Sequence, residues 1–447
     1  MVFANTKRVP ELIAQAQTLQ RAGRSDEAAT IYERILKAAP KDLQSLFGLA
    51  AINSAKGENV PAIALLERAA KIAPRESKIL VGLGQLYDAV GKDLRALKNY
   101  EKAQKLDPHD GGVMMLRGVS LGKLRRYKEA AALFRKIAKG APNAPGIWQN
   151  LGNTLVHLEA YQEAVSAFQM AKKQAPDDAN IRYILGRALL LNGEFKASLL
   201  EFDAGLERAP HFMRILSCKI LSLRHLGEDE AADELEGLED LVLPAEMRVP
   251  PGFSSLDSFN DALQEEITQH PRLEKDVPGR ATRNGAKLLD MFTKEPSAVF
   301  AGFKIAVRDA FERTLTEMPK RQGHPLPVEI LGGGYDMDMW ANVMYKGGHE
   351  LSHNHAGWFS SCYYNVTPNA IDESGDECQG WIEFGGAAYG LPEPPNAPKR
   401  RVRPEPGGML VFPSYVFHRT IPFDSDEIRI STAFDTRPFA WTEGRMG

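Results

Sequence analysis

Three of the chain's ten histidines crowd into the segment HELSHNHAGWFSS, residues 349–361, at His349, His353 and His355. Histidine offers a neutral imidazole nitrogen to a metal ion, so such a cluster is a candidate metal site. His353 and His355 stand two residues apart, and on a β-strand residues at that spacing point to the same face. We therefore predict a chelating pair on a strand, with one histidine at the strand's end. His349 shares the parity of His353, but the two glycines before it favour a turn.

A third histidine, an arginine and a serine follow further along the chain. His418 stands 63 residues after His355, and Arg429 and Ser431 stand 11 and 13 residues beyond His418. A non-haem iron site that activates dioxygen needs two histidines and a third ligand on one face of the metal, with open positions opposite. An arginine can form a bidentate contact with the carboxylate of a chelating co-substrate. The spacing therefore predicts a metal site beside an anion site. The alternative for Arg429 is a strand residue that forms a salt bridge with Glu427.

Strands must position these residues, and the surrounding sequence has strand character. Short segments alternate in polarity or are bounded by glycine and proline; they are WANVMY, SSCYYNV, GWIEFGG, GGMLVFPS and EIRISTAF. Such a series predicts short antiparallel strands of a barrel or jelly roll, whose mouth commonly holds a ligand. Residues 298–318 carry apolar residues at helical spacing, which predicts a helix that lies on the sheet.

The order of these motifs resembles the iron(II)/2-oxoglutarate-dependent oxygenase superfamily, whose hallmark is HxD, a distal histidine and Arg-x-Ser. More narrowly, HNHAGWFSSCYYNV, GWIEFG, PGGMLVFPSYVFHRTIPF and RISTAFD resemble a 2-oxoglutarate oxygenase family that is often fused to tetratricopeptide repeats. The resemblance covers about residues 255–440 and implies an α+β domain built on a double-stranded β-helix. The site residues that it implies are His353, His355 and His418 for iron, and Arg429, Ser431, Asn342 and Tyr345 for 2-oxoglutarate. Trp358 is a candidate wall of the active-site mouth, with the filling of a core as the alternative.

The sequence departs from the superfamily at one ligand. His355 stands where an aspartate or glutamate is usual. Three neutral imidazoles would leave iron(II) with its full positive charge, which the dianion 2-oxoglutarate could offset on binding. Alternatively, a carboxylate from outside the motif, such as Glu350 or Glu383, could bind the metal.

The first half of the chain repeats with a period of 34 residues. Prolines recur at that interval; they are Pro40, Pro74, Pro108, Pro142, Pro176, Pro210 and Pro244. A small residue precedes each proline by twelve positions, and a large apolar or aromatic residue precedes the first six by eight positions. Glycines occur at two phases: one, as at Gly91, suits the turn between paired helices, and the other, as at Gly84, suits close helix contact. Such a period predicts an array of helical repeats.

The units resemble tetratricopeptide repeats, most fully in the fifth, PGIWQNLGNTLVHLEAYQEAVSAFQMAKKQAPDD. The resemblance covers about residues 9–244 in about seven units, of which the last is degenerate because Glu236 replaces the large apolar residue. It implies an all-α solenoid whose concave face binds an extended peptide or a partner protein. Asn150, Asn153 and Arg187 lie where side chains of such arrays often contact peptide, with a solvated helix face as the alternative.

The composition bounds the remaining possibilities. The 34-residue period stops after Pro244, and we predict a linker at residues 245–255 and a second domain at 256–447. The net charge of -3 gives no strong field that would favour nucleic acid or an anionic membrane. Three cysteines without a CxxC pair predict neither a disulfide framework nor a thiolate zinc site, and we see no signal peptide or membrane-spanning run. We expect a cytoplasmic protein.

The sequence therefore favours an Fe(II)- and 2-oxoglutarate-dependent dioxygenase, a hydroxylase, acting on a peptide or protein that the repeats recruit. Two alternatives stay open: an interaction scaffold with a degenerate metal-binding barrel, and a three-histidine dioxygenase that does not use 2-oxoglutarate. The presence of Arg429 and Ser431 counts against both, because neither alternative has a use for a carboxylate-binding pair.

Overall fold

A computed structural model of the chain describes residues 8–275, 281–289, 291, 296–321, 324–326, 334–373 and 377–439. The chain divides into two compact units, residues 1–174 and 175–447. The helices that the structure describes in the first unit are α1 (Val9–Arg21), α2 (Ser25–Ala38), α3 (Leu43–Ala55), α4 (Asn59–Ile72), α5 (Ser77–Ala89), α6 (Asp93–Leu106), α7 (Gly111–Lys123), α8 (Tyr127–Gly140), α9 (Ile147–His157) and α10 (Tyr161–Gln174). They form successive antiparallel hairpins, as the repeat pattern predicts.

Close contact within several of the hairpins depends on a glycine. A Cβ atom added to Gly84 would lie 2.3 Å from the ring of Tyr100, and one added to Gly152 would lie 2.4 Å from the ring of Phe168. Both rings are buried. Since protein interiors are packed too closely to admit the extra atom, glycine lets the first helix of the hairpin lie directly on the aromatic side chain of the second. The predicted role of this glycine phase is confirmed.

The turn between the two helices of a hairpin requires a left-handed residue. Gly57 and Gly91 adopt φ angles of 80° and 68° there, which glycine reaches without strain. At the same phase of the next two repeats stand Arg125 and Glu159, each with a φ of 57°. The repeat geometry therefore imposes this conformation even where the side chain disfavours it.

The second unit begins with the remaining repeat helices and continues into a mixed domain. Its described helices are α11 (Ala179–Leu191), α12 (Phe195–Arg208), α13 (Met213–Leu226), α14 (Asp229–Glu236), α15 (Leu256–Thr268), α16 (Ala298–Glu317) and α17 (Ala370–Glu373). The short α14 ends at Glu236, the residue that makes the seventh repeat degenerate. Its buried carboxylate accepts a hydrogen bond from Arg224 at 2.8 Å, so an ion pair takes the place of the usual apolar contact.

The strands form two antiparallel sheets. Their bounds are β1 (Leu243–Glu246), β2 (Glu274–Lys275), β3 (Thr282–Leu288), β4 (Tyr335–Glu350), β5 (Phe359–Val366), β6 (Ile382–Gly385), β7 (Lys399–Val402), β8 (Gly408–Pro413), β9 (His418–Thr420) and β10 (Arg429–Pro438). The larger sheet has the order β1-β8-β5-β10-β4-β3-β2, and the smaller has the order β7-β6-β9. The predicted α+β domain on a double-stranded β-helix, after an all-α repeat array, is confirmed.

The apolar core of this domain lies between the larger sheet and α16. The ring of Phe311, on α16, meets those of Phe359 and Phe434 at centroid distances of 5.9 and 5.6 Å. The predicted helix on the sheet is therefore confirmed. Residues 243–246, close to the predicted linker, form β1 and pair with β8, while the predicted domain boundaries stay predictions. Among the helices described, none combines the length and the apolar character that a membrane span would require.

Candidate active site

A cavity between the two sheets brings the predicted site residues together. Five residues of β10 line the cavity wall: Phe434, and four that alternate along the strand, namely Arg429, Ser431, Ala433 and Asp435. This spacing of two places them on one face, as pleating requires. The cavity volume open to the centres of water molecules is about 30 Å³. His353, His355 and His418 line the same cavity, so it holds both the candidate ligands and the candidate anion-binding arginine.

The three histidines converge on one point. Their candidate ligand atoms all lie within 4.8 Å of one another, and the ring centroids of His353 and His418 are 4.5 Å apart. The prediction that the first two lie on a strand is wrong, because β4 ends at Glu350. His353 instead forms an isolated antiparallel bridge with His418, in which each backbone N–H donates to the other's carbonyl at 3.0 Å. His355 is held by its N–H, which donates to the carbonyl of Ser414 at 2.9 Å.

Each histidine has a hydrogen-bond acceptor for its Nδ1 atom. Nδ1 of His353 donates to the carbonyl of Leu351 at 2.7 Å, and Nδ1 of His418 donates to the carbonyl of Val416 at 3.1 Å. Nδ1 of His355 lies 3.1 Å from a carboxylate oxygen of Asp435. A carbonyl or carboxylate oxygen can only accept, so the proton sits on Nδ1 and the lone pair on Nε2. All three rings can therefore present Nε2 to a metal ion, with the tautomer fixed by its surroundings.

Burial controls the charge of these rings. It lowers the pKa of His353 and holds the pKa of His418 well below its ordinary value, and the neighbouring histidines add to the effect. Burial also disfavours the charged form of His355, but the carboxylate of Asp435 outweighs it, so the pKa of His355 is raised. Metal binding requires neutral imidazole, and the two histidines with lowered pKa values are already in that form at neutral pH.

Arg429 has the environment of an anion-binding residue. It is 1% exposed, and its Nε donates to the carbonyl of Gly380 at 3.1 Å, while Nη1 lies 3.4 Å from the hydroxyl of Ser431. The guanidinium also lies over the ring of Tyr364, at 5.1 Å from its centroid. Within the described part of the chain, no acidic side chain forms an ion pair with it. A buried charge without a partner is costly, so this site favours a carboxylate ligand. The alternative, a salt bridge with Glu427, does not form; Glu427 bonds Asn369 instead.

The two residues predicted for the other end of the co-substrate are not brought together. Asn342 lines the cavity opposite Ser431 in the strand register, and its buried Oδ1 has no hydrogen-bond partner among the described residues. Tyr345 does not line the cavity; its ring instead lies 5.4 Å from Nζ of Lys275. The physical reason is that residues three apart on a strand point to opposite faces. Asn342 therefore lies in the cavity, and its role in binding 2-oxoglutarate stays a prediction, whereas the placement predicted for Tyr345 is corrected.

Trp358 is not part of the cavity wall either. It is buried in the apolar core of the second unit, and its ring centroid lies 4.9 Å from that of His211. Its backbone N–H donates to the carbonyl of Thr436 at 3.1 Å. The structure therefore assigns this side chain to packing.

The two candidate carboxylates outside the HxH motif have other partners. Glu350 lines the cavity, but its carboxylate pairs with Lys287 at 3.1 Å and accepts from Thr282 at 3.1 Å. Glu383 accepts hydrogen bonds from Arg419 at 2.7 Å and from Arg401 at 2.8 Å. In the described residues, the cluster with metal-ligand geometry contains the three histidines and neither glutamate.

Several site residues were missed by sequence reasoning. Asp435 completes the series Arg429, Ser431, Ala433 at spacing two, which is the signal that could have found it. Trp340 stacks on His355 with centroids 5.4 Å apart, and it precedes Asn342 by the same spacing. Asn354, between two of the histidines, donates to the hydroxyl of Ser217 on α13; no sequence signal links those two positions.

The residues present fit iron(II) and a 2-oxo acid. Three imidazole nitrogens form a donor set that iron accepts, and they converge beside a buried guanidinium and an unpartnered amide oxygen. Residues 338–435 match the model of a family described as "Putative 2OG-Fe(II) oxygenase", and residues 13–77, 81–145 and 123–187 match tetratricopeptide-repeat models. The chain therefore joins tetratricopeptide repeats to a domain of the 2OG-Fe(II) oxygenase family. Both resemblances drawn from the sequence motifs are confirmed.

The solved structures to which this chain is similar include two whose titles name TPR proteins. YrrB, described as a TPR protein with an unusual peptide-binding site, is 21% identical over 42% of this chain and 97% of that chain, with a TM-score of 0.38. MamA from Desulfovibrio magneticus RS-1 is 20% identical over 40% of this chain and 94% of that chain, with a TM-score of 0.35. Part of a TPR protein from Cytophaga hutchinsonii is 15% identical over 50% and 91%, with a TM-score of 0.44. No curated protein matches the chain.

Proposed function

We propose that the protein is an Fe(II)- and 2-oxoglutarate-dependent dioxygenase that hydroxylates a peptide or protein recruited by its repeats. The observation that carries the proposal is Arg429, a buried guanidinium without an acidic partner among the described residues, in the same cavity as three converging imidazoles. A metal site that needed no carboxylate co-substrate would have no use for such a group. This separates the proposal from a scaffold and from a three-histidine dioxygenase that does not use 2-oxoglutarate.

The chain's own residues divide the work. His353, His355 and His418 would hold iron(II) through Nε2, while Arg429 and Ser431 would bind the distal carboxylate of 2-oxoglutarate. When both are bound, iron and 2-oxoglutarate would let dioxygen oxidise a C–H group of the substrate to C–OH, with one oxygen atom of dioxygen entering the substrate and the other entering succinate as 2-oxoglutarate loses carbon dioxide. The protein's share is orientation and a dry pocket.

Two further contacts prepare the cavity for this task. The unpartnered Oδ1 of Asn342 faces the cavity from β4, where it can orient a polar group of the bound acid or a water molecule. The buried side chains of Phe412 and Ile382 form an apolar part of the wall and limit access of solvent. A pocket that excludes water has a low dielectric constant, which strengthens every charged contact inside it.

The test is an anaerobic titration of the purified chain with iron(II) and then 2-oxoglutarate. A weak visible charge-transfer band that requires both additions is the expected result. Addition of oxygen should then convert 2-oxoglutarate to succinate, at a low rate even when no substrate is added. Tight metal binding with neither the band nor succinate would instead identify a scaffold, and oxygen consumption independent of 2-oxoglutarate would identify the three-histidine alternative.

The peptide or protein substrate is proposed from the repeats, which match tetratricopeptide-repeat models, a resemblance that implies polypeptide binding. Mass spectrometry of a peptide library incubated with the loaded enzyme should show a gain of one oxygen on selected members. The N150A/N153A variant, altered on α9, should raise the KM for such peptides and leave uncoupled succinate formation unchanged. A cytoplasmic location belongs to the same proposal.

A further inference from the structure

We propose that Asp435 is the carboxylate of this metal centre and that it acts through His355, in place of a carboxylate bound directly to the metal. The inference deepens the proposed function and rests on it only for the presence of a metal ion. Its basis is the hydrogen-bonded pair formed by His355 and Asp435.

Asp435 is fixed in place by bonds to both of its oxygens. Oδ2 lies 3.1 Å from Nδ1 of His355, and Oδ1 accepts a hydrogen bond from the hydroxyl of Ser360 at 2.7 Å. The hydroxyl of Ser360 lies in turn 2.9 Å from that of Ser414. Asp435 is 6% exposed, so solvent does not replace these contacts. The carboxylate is therefore aimed at one ring nitrogen by a buried network.

His355 differs from the other two histidines in this respect. Nδ1 of His353 and Nδ1 of His418 both donate to backbone carbonyls, which carry no net charge. Only for His355, among the three, is the acceptor a carboxylate. His355 is also the residue that replaces the superfamily's usual acidic ligand. The negative charge is therefore present at the same corner of the site but lies one imidazole further from the metal.

The charge of Asp435 is not neutralised by another group. In the regions that the structure describes, no lysine or arginine forms an ion pair with it, and its other side-chain hydrogen bond comes from the hydroxyl of Ser360. A carboxylate bonded to Nδ1 makes Nε2 a better donor to a metal and offsets part of the metal's charge. A purely structural aspartate would more often face a cation or a set of backbone N–H groups.

The experiment measures metal affinity without 2-oxoglutarate or turnover. Apo protein is titrated with Co(II), whose visible bands report an iron-like site, for the wild type and for D435N, H355D and the double variant H355D/D435N. D435N should weaken Co(II) binding by about 10- to 100-fold, the range typical of such outer carboxylates. The control D338N, which alters a half-exposed aspartate opposite Asp435 in the register, should leave the affinity unchanged.

The double variant separates the proposal from a structural role. In the H355D background, the introduced carboxylate would face Asp435 and repel it, so adding D435N should tighten Co(II) binding. A change of sign between the two backgrounds supports action through His355. Equal weakening in both, or no effect of D435N on the wild type, would overturn the proposal.

Two further measurements keep the result interpretable. Circular dichroism and thermal unfolding check that each variant is folded. If D435N or H355D does not fold, S360A removes the hydroxyl that bonds Asp435 and Ser414 but leaves the carboxylate and the imidazole in place. A several-fold loss of Co(II) affinity is then expected, and unchanged affinity would count against the proposal. If Co(II) binding depends on Asp435 but 2-oxoglutarate is never consumed, the proposed function fails and this inference stands.

Discussion

The repeats and the cavity of the second unit solve their packing problems in opposite ways. In the repeats, one contact recurs: a glycine on the first helix of a hairpin lies on the aromatic residue of the second, as Gly84 does on Tyr100 and Gly152 on Phe168. In the cavity, each contact occurs once. In the described residues there is no counterpart of the hydrogen bond between His355 and Asp435, nor of Arg429, a buried guanidinium without an acidic partner.

The difference shows how far apart in the sequence the residues of each kind of contact lie. A repeat contact joins residues 16 apart, so a short window of sequence contains both partners. The same pair of positions recurs in successive repeats, which makes the contact recognisable. A cavity contact joins residues far apart in the sequence, such as Asp435 on β10 and His355 in the segment after β4, which meet only in the folded domain. A substitution in one repeat should therefore affect stability, whereas a substitution in the cavity should affect binding and chemistry with a smaller effect on folding.

The largest effect is expected for H418A. His418 is buried, its ring contacts those of His353, His355 and Phe412, and nothing else in the described cluster can replace its Nε2. Iron binding and succinate formation should fall below detection. H349A is the matched control, because the ring of His349 bonds the carbonyl of Gly347 and lies outside the cluster; it should retain both activities. Full activity of H418A would remove the proposed ligand set.

The next effect is expected for R429A. Loss of the buried guanidinium should raise the KM for 2-oxoglutarate by about 100-fold, in line with the cost of removing one partner of a buried charged pair. R429K keeps the charge but not the fork, so its defect should be intermediate. R437A, which alters an exposed residue further along β10, should behave as the wild type. A titration of 2-oxoglutarate under constant iron measures all three, and an unchanged KM in R429A would contradict the assignment.

The substitution G152A tests the recurring contact. In an open helix, alanine for glycine gains about 1 kcal/mol. Here the added Cβ would lie 2.4 Å from the ring of Phe168, so we expect a net loss of about 1–3 kcal/mol in the free energy of unfolding. G122A is the control, since a Cβ at Gly122 on α7 has no atom within 4 Å and should stabilise or be neutral. Chemical denaturation measures both, and equal effects would show that the contact does not matter.

Glu383 tests a buried charge in the second unit. Burial disfavours its ionised form, but hydrogen bonds from Arg419 and Arg401 hold its pKa below the ordinary value of 4.5. A carboxyl with a lowered folded pKa stabilises the protein above its unfolded pKa, and this contribution is lost as the pH falls. E383Q should therefore cost about 1–3 kcal/mol at pH 7, reduced by the partial exposure of both arginines.

The cost of E383Q should shrink as the pH falls below about 4.5, where the carboxyl of the unfolded chain begins to bind a proton, and it should keep shrinking until the pH passes the lower pKa of the folded carboxyl. Urea unfolding at pH 7 and at pH 4 measures the difference, with E405Q at an exposed position as the control. A cost that stays constant over this pH range would show that the stabilisation does not depend on the charge of Glu383.

The smallest effect is expected at a repeat turn. Arg125 adopts the left-handed conformation that Gly57 and Gly91 adopt at the same phase. R125G should raise the free energy of unfolding by about 0.5 kcal/mol, since relief of strain is partly offset by the greater freedom of glycine in the unfolded chain. The converse variant G91A should lose stability. If thermal unfolding shows no gain for R125G, the strain at this position is negligible.

Most of the fold was predictable because its signals are local or periodic. A short stretch of sequence is enough to recognise the 34-residue period, the helix at residues 298–318 and the short strands bounded by glycine. The candidate ligands were also found from the sequence. Two of them lie in one short segment, and the third, His418, is followed 11 residues later by Arg429, a spacing that the superfamily motif contains. The strand assignment of His353 and His355 was wrong because chain bends between sheets have no clear periodic signal.

The sequence by itself determined the repeats, the strand-rich domain and the set of three histidines with Arg429 and Ser431. Only the tertiary structure decided that Asp435 bonds His355, that Tyr345 faces away from the cavity and that Trp358 packs in the core. The physical reason is the distance along the sequence over which the interacting residues are spread. Side-chain periodicity is a property of neighbouring residues, whereas the pairing of one strand with another depends on packing summed over the whole domain.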